Sequence, residues 1–73
     1  MTVKPTDHVV RMIELKAKDG NVLEAKLDAK RVRREYEGAA RSLGQFGADI
    51  DAVQVAERYR QLISRLRVIE ELE

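Results

Sequence analysis

The sequence predicts an α+β domain in which a β-hairpin is followed by two helices, the last of them long and amphipathic. Three observations favour this fold class: the turn residues Asp19-Gly20-Asn21, apolar residues that alternate on both sides of them, and helical apolar spacing in the remainder of the chain. Asp and Asn bond to nearby backbone groups, and Gly and Asn tolerate positive φ, so these residues suit a hairpin loop.

The apolar residues that flank the turn keep a two-residue period. The two facing sets are Ile13, Leu15, Ala17 and Leu23, Ala25, Leu27. Since side chains on a strand alternate between two faces, a hairpin in this register places both sets on the same face of the sheet. The register closes without a misfit, which favours the hairpin.

An all-α three-helix bundle is the alternative, because the same segment is made of good helix formers. In that interpretation Gly20 ends one helix, Asn21 starts the next, and Glu24 completes a capping box. Residues at three- and four-residue spacing then continue along the second helix as Val22, Ala25, Ala29, Val32, Tyr36, Ala39, Leu43. This alternative leaves Leu23 and Leu27 outside a seam rich in alanine, and for that reason the hairpin is preferred.

Both interpretations predict a helix over residues 29–43, with Asp28 as its N-cap and Gly44 as its stop. Asp49 is expected to cap a long last helix. The apolar residues of that helix recur at helical spacing as Ala52, Val55, Tyr59, Leu62, Leu66, Ile69. This amphipathic stripe is the clearest pattern in the chain.

Composition limits the classes of function. The chain has 73 residues, no cysteine and a single histidine, His8, so disulfides and thiolate metal sites are excluded. We expect one small domain, 1–73, in which 1–6 form a frayed N-terminal arm. No apolar stretch reaches the roughly 20 residues of a membrane span, and the first residues lack the apolar core of a secretory signal, which predicts a cytoplasmic protein without a membrane partner.

The residue types that enzymes use are sparse. Ser42 and Ser64 would have to share His8, and neither serine lies in a G-x-S-x-G pattern. Asp49 and Asp51 fit helix capping better than a metal site, and no glycine opens a phosphate-binding loop. We therefore expect a protein that is not an enzyme and that has no catalytic residue, no metal site and no cofactor.

The densest basic run lies in the middle helix. Its members are Lys30, Arg31, Arg33, Arg34 and, further along, Arg41. These residues could contact phosphate groups along one helix face. Glu35 and Glu37 stand at the spacing that neutralises much of that face, and the formal net charge of the chain is only +1. A nucleic-acid-binding regulator is therefore the alternative function.

The preferred function comes from the last helix, which carries more apolar surface than the preceding segments can cover. Exposed apolar surface of this kind marks interaction sites. We predict a protein–protein interaction module, an adaptor or assembly factor, that forms a homodimer through this helix and can also bind a heterologous protein. The predicted self-association residues are Tyr59, Leu62, Leu66 and Ile69, and the basic residues flanking them are Arg58, Arg60, Arg65 and Arg67.

Three features together resemble the start of some small bacteriophage assembly and tail-chaperone proteins. They are a hairpin with an Asp19-Gly20 turn, an Arg- and Glu-rich helix, and the end of that helix at Ser42-Leu43-Gly44. The resemblance covers about half of the chain. It implies a role in phage assembly as a further alternative and assigns no site residues.

Overall fold

Three helices make up the described part of the chain. A computed structural model describes residues 7–47 and 49–73, and the predicted N-terminal arm at 1–6 lies outside them. The helices are α1, Asp7–Lys18; α2, Val22–Leu43; and α3, Ile50–Glu70, and a short 3-10 turn, Gly44–Phe46, follows α2. Arg33 of α2 contacts Glu70 and Glu37 contacts Arg67, so α2 and α3 run in opposite directions. The short α1 packs against this pair.

The predicted β-hairpin is wrong, because the residues described on both sides of Asp19-Gly20-Asn21 are helical and include no strand. The three residues do form a turn, but this turn ends a helix. Gly20 has a φ of +101°, its N–H donates to the Ala17 carbonyl at 3.2 Å, and the Asn21 N–H donates to the Lys16 carbonyl at 3.0 Å. These two bonds make a Schellman motif, which closes a helix.

The observed fold is therefore the all-α alternative, a three-helix bundle. The correction also removes the hairpin on which the resemblance to bacteriophage assembly proteins was based. Of the two sets predicted to share a sheet face, Ile13 and Ala25 are buried in the bundle. Leu15, Leu23 and Leu27 are instead exposed.

The middle helix begins seven residues before the predicted start at Ala29, since α2 opens at Val22. Asn21 is its N-cap, but in the described structure the Asn21 side chain makes no capping bond, and Glu24 bonds to the Lys16 ammonium at 3.0 Å. The predicted capping box is thus absent from this part of the chain. α2 ends at Leu43 as predicted, although the positive φ of the following turn falls at Gly47.

The predicted start of the last helix is confirmed. Asp49 is the N-cap of α3, and its Oδ1 accepts bonds from the N–H groups of Asp51 at 2.9 Å and Ala52 at 3.2 Å. A side-chain acceptor at this position satisfies two N–H groups that have no partner within the helix.

The core is one apolar cluster between the three helices. α2 contributes small side chains to it, Ala25 and Ala29, both fully buried, together with Val32. Because alanine side chains are short, they permit the neighbouring helices to approach the axis of α2 closely. The other members of the cluster are Val10, Ile13, Leu62, Leu66 and Ile69.

Replacement by alanine is expected to change the free energy of unfolding in opposite directions at Gly20 and at Gly38. Gly20→Ala should lower the free energy of unfolding by about 1 to 2 kcal/mol, because a side chain is strained at positive φ. Gly38→Ala should raise it by about 0.5 to 1 kcal/mol, since Gly38 lies inside α2 and a Cβ there meets nothing within 4 Å. Urea unfolding of both variants measures the two changes. Equal effects would contradict the assignment of Gly20 to a helix-ending turn.

Candidate nucleic-acid interface

Three of the four residues predicted for self-association are buried within the bundle, and the fourth, Tyr59, is half-buried. Leu62 and Leu66 are 0% exposed and Ile69 is 4% exposed, and all three contact the apolar residues of α1 and α2. Tyr59 is half-buried against Tyr36, with ring centroids 5.1 Å apart. Leu62, Leu66 and Ile69 of the α3 stripe are therefore part of the core of the bundle, whereas Tyr59 keeps part of its surface exposed.

The basic residues predicted on α2 differ in their contacts, and Arg33 is the one that joins α2 to α3. Its guanidinium bonds to both carboxylate oxygens of Glu70, at 2.5 and 3.1 Å, and to Glu37 at 2.7 Å. The Arg33 side chain is 19% exposed, and the bonds to Glu70 raise its pKa. Arg33 thus holds α2 to α3 and is not free to bind a ligand.

Lys30, Arg34 and Arg41 lie on the opposite side of α2 from Ala29 and Val32. All three are exposed, and within residues 7–47 and 49–73 none of them forms an ion pair. Steps of four and seven residues keep them on one side of a helix, over a length of about 16 Å at 1.5 Å per residue.

Two exposed leucines extend this row toward the start of α2. Leu23 is 76% exposed and Leu27 is 62% exposed, and the steps from Leu23 to Leu27 to Lys30 keep helical spacing. We call the row the outer stripe; its members are Leu23, Leu27, Lys30, Arg34 and Arg41. It is apolar at its first end and cationic over the remainder. Arg31 lies beside it, 71% exposed, with a carboxylate oxygen of Asp28 at 3.9 Å.

The acidic residues expected to neutralise this face do not do so. Glu37 turns toward α3, where it pairs with Arg33 at 2.7 Å and Arg67 at 3.2 Å. Glu35 is exposed and forms no ion pair with any residue that the structure describes. Asp28 is held by Lys16 at 2.8 Å, and that bond lowers the pKa of the Asp28 carboxyl. None of these three carboxylates forms an ion pair with Lys30, Arg34 or Arg41.

The second basic group also divides, according to which helix each arginine faces. Arg65 bonds to both carboxylate oxygens of Glu14 and lies 3.6 Å from Asp7, and the bonds to Glu14 raise its pKa. Arg58 pairs with Asp7 as well. These two arginines hold α1 against α3.

Arg60 and Arg67 lie on the other flank of α3 and line a groove beside α2, together with Arg41. The sequence pattern assigns Arg60 and Arg67 to the charge that flanks the apolar stripe of the last helix, and not to the basic surface. A usable signal was present, because Arg58 and Arg65 are seven residues apart, as are Arg60 and Arg67. A step of seven keeps two residues on the same side of a helix, so the four arginines form two columns rather than one group.

The histidine and the serines that were considered as catalytic groups are dispersed over the surface. His8 and Ser42 are exposed, and the Ser64 hydroxyl donates to the Arg60 carbonyl at 3.2 Å. Among the described residues, no group of three or more His, Cys, Asp or Glu could hold a metal ion. None of the described helices combines the length and the apolar character that crossing a membrane requires.

Comparison of the chain with protein-family models, curated proteins and solved structures finds no match.

Proposed function

We propose that this protein is a small, non-enzymatic regulator that binds the phosphate backbone of nucleic acid through the outer stripe of α2. The observation that supports it most is the state of Lys30, Arg34 and Arg41, which are exposed, share one side of the helix and have no ion-pair partner among the described residues. A polyanion supplies partners to all three at once. The cytoplasmic location predicted from the sequence remains a prediction and is kept as part of this proposal.

The proposed contact is with phosphate groups rather than with bases. Stacking on bases needs exposed aromatic rings. Tyr36 and Tyr59 pack against each other at 5.1 Å, and neither tyrosine is fully exposed. Contacts to phosphate position a protein on nucleic acid without selecting a sequence, so we expect little base preference.

Salt dependence is the first test of this function. Each phosphate contact on duplex DNA lowers log K by about 0.9 per tenfold rise in salt, so three contacts predict a slope near −2.7. Raising salt from about 50 to about 200 mM should then weaken binding roughly 40-fold. The double change Lys30→Gln and Arg34→Gln should reduce the slope to about −0.9. Fluorescence anisotropy of a labelled duplex measures both values.

A matched control removes the same charge elsewhere. Arg11 and Lys18 are exposed on α1 and form no ion pair in the described part of the chain. Arg11→Gln with Lys18→Gln should therefore leave the slope near the wild-type value. The proposal fails if wild-type protein shows no salt-dependent binding to duplex DNA, or if the control pair weakens binding as much as the pair on α2.

Protein assembly is a second candidate function, because the bundle leaves many large apolar side chains uncovered. Within the described residues these are Val9, Met12, Leu15, Leu23, Leu27, Ile50, Val53, Val68 and Leu72. Leu23 and Leu27 are adjacent on the outer stripe, so they would be central to a contact with a second copy or a heterologous protein.

Sedimentation equilibrium tests the self-assembly form of this candidate. The wild type should sediment as a dimer, and Leu23→Gln with Leu27→Gln should sediment as a monomer while keeping its helical circular dichroism. A wild-type protein that is monomeric at high micromolar concentration would exclude self-assembly. A heterologous partner would then be the remaining form of the assembly function.

A further inference from the structure

A groove of about 370 Å³ runs between α2 and α3 on the flank away from α1. Ala40 and the buried Ile63 form its apolar wall. Its charged lining consists of Arg41 from α2, Arg60 and Arg67 from α3, and a single acid, Glu37. Three guanidinium groups against one carboxylate leave the groove with a net positive charge.

The ion pairs that hold Arg60 and Arg67 lie at the surface, although the Glu37 side chain is half-buried, at 29% exposed. Arg67 lies 3.2 Å from Glu37 and is 61% exposed, and Arg60 lies 3.2 Å from Glu57, with both side chains about 60% exposed. Exposed pairs of this kind are weak, because water competes with each partner. A phosphate group, which accepts bidentate bonds from guanidinium, can displace them.

We infer that this groove binds one phosphate group of the nucleic-acid strand that lies along the outer stripe, an inference that rests on the proposed function. The geometric reason is Arg41, which belongs to the outer stripe and also lines the groove. A strand that follows Lys30, Arg34 and Arg41 therefore arrives at the mouth of the groove. There Arg60 and Arg67 line the same space as Arg41 and provide two further cations.

Glu37 acts as the competing anion in this groove. It bonds to Arg67 at 3.2 Å, so a phosphate that binds Arg67 has to displace or approach that carboxylate. Arg33, the other partner of Glu37, keeps its bonds to Glu70 when Glu37 is neutralised. Removing the Glu37 charge should thus tighten phosphate binding without separating the two helices.

The test compares two variants with opposite expected effects on the affinity for duplex DNA. Arg60→Gln with Arg67→Gln should weaken binding at least about tenfold, as expected for loss of charged hydrogen bonds. Glu37→Gln should strengthen binding about two- to five-fold, the range for release of an exposed ion pair. Arg11→Gln with Lys18→Gln again controls for net charge.

The outcomes separate this inference from the proposed function. If the Lys30 and Arg34 changes weaken binding while the Arg60 and Arg67 changes behave like the control, the function stands and the groove inference is overturned. If wild-type protein does not bind duplex DNA, the proposed function fails.

An NMR titration with inorganic phosphate reads the groove directly in either case. The amide signals of Ser64 and Arg67 should shift in the wild type and stay in place in the Arg60→Gln, Arg67→Gln variant. Absence of a wild-type shift would overturn the inference. Melting curves of the arginine and lysine variants, which change only exposed residues, should match the wild type and so confirm that each is folded. The Glu37→Gln variant, which changes a half-buried side chain, should keep its helical circular dichroism.

Discussion

Leu66→Ala is expected to lower the free energy of unfolding by about 2 to 5 kcal/mol, the usual cost of a buried leucine replaced by alanine. Leu66 is 0% exposed and belongs to the cluster that joins all three helices. A domain of this length has only about 0.05 to 0.15 kcal/mol of stability per residue, so the loss is a large part of the total. Thermal or urea unfolding followed by circular dichroism measures it.

The control for this change is Leu23→Ala, which makes the same substitution at a position that is 76% exposed. Surface substitutions of this kind alter stability by less than about 0.5 kcal/mol. The position of Leu66 inside a single chain also predicts that its effect is independent of protein concentration. A melting temperature that rises with concentration in the wild type, and no longer does so in Leu66→Ala, would instead place Leu66 at a contact between chains.

Ala29→Leu is expected to lower the free energy of unfolding by about 1 to 3 kcal/mol, through overpacking. Ala29 is 0% exposed, and its short side chain lies where α2 meets the core residues of α1 and α3. A leucine has no space there unless the helices separate. Leucine and alanine have similar helix propensities, so a loss of this size would come from packing.

Leu27→Ala is the converse change two positions away and serves as its control. Leu27 is 62% exposed, so truncating it should leave the unfolding free energy within about 0.5 kcal/mol of the wild type. The two variants compare the addition of apolar atoms at the buried position 29 with their removal at the exposed position 27. Stabilisation by Ala29→Leu would show that the seam of α2 is loosely packed and would contradict close approach of the helices.

The leucines and alanines in the first two turns of α2 explain why the sequence favoured the hairpin. A large apolar residue is more often buried than a small one, so an interpretation that exposed Leu23 and Leu27 and buried Ala25 and Ala29 counted against the helix. The structure adopts that arrangement. The short alanine side chains let α1 and α3 approach α2 together, and the gain lies in the packing of Leu62, Leu66 and their neighbours on the partner helices.

The basic surface also depends on contacts between residues far apart in the chain, which the sequence alone does not show. The sequence predicted one basic face formed by Lys30, Arg31, Arg33, Arg34 and Arg41, and the structure exposes all of these except Arg33. The sequence could not assign Arg33 to Glu70, since those residues are 37 positions apart in the chain. Nor could it place Glu37 in the groove beside Arg67, which removed the expected neutralisation of the outer stripe.

Local chemistry is what the sequence by itself determined: the turn at Gly20, the end of α2 at Leu43, the cap at Asp49 and the apolar period of α3. Each depends on hydrogen bonds or spacing within a few residues, so each can be inferred from neighbouring residues alone. Only the tertiary structure decided whether the Gly20 turn joins strands or helices, and which residues of the α3 stripe pack against α1 and α2. Those outcomes depend on how closely three helices can pack, and that distance is set by side chains far apart in the sequence.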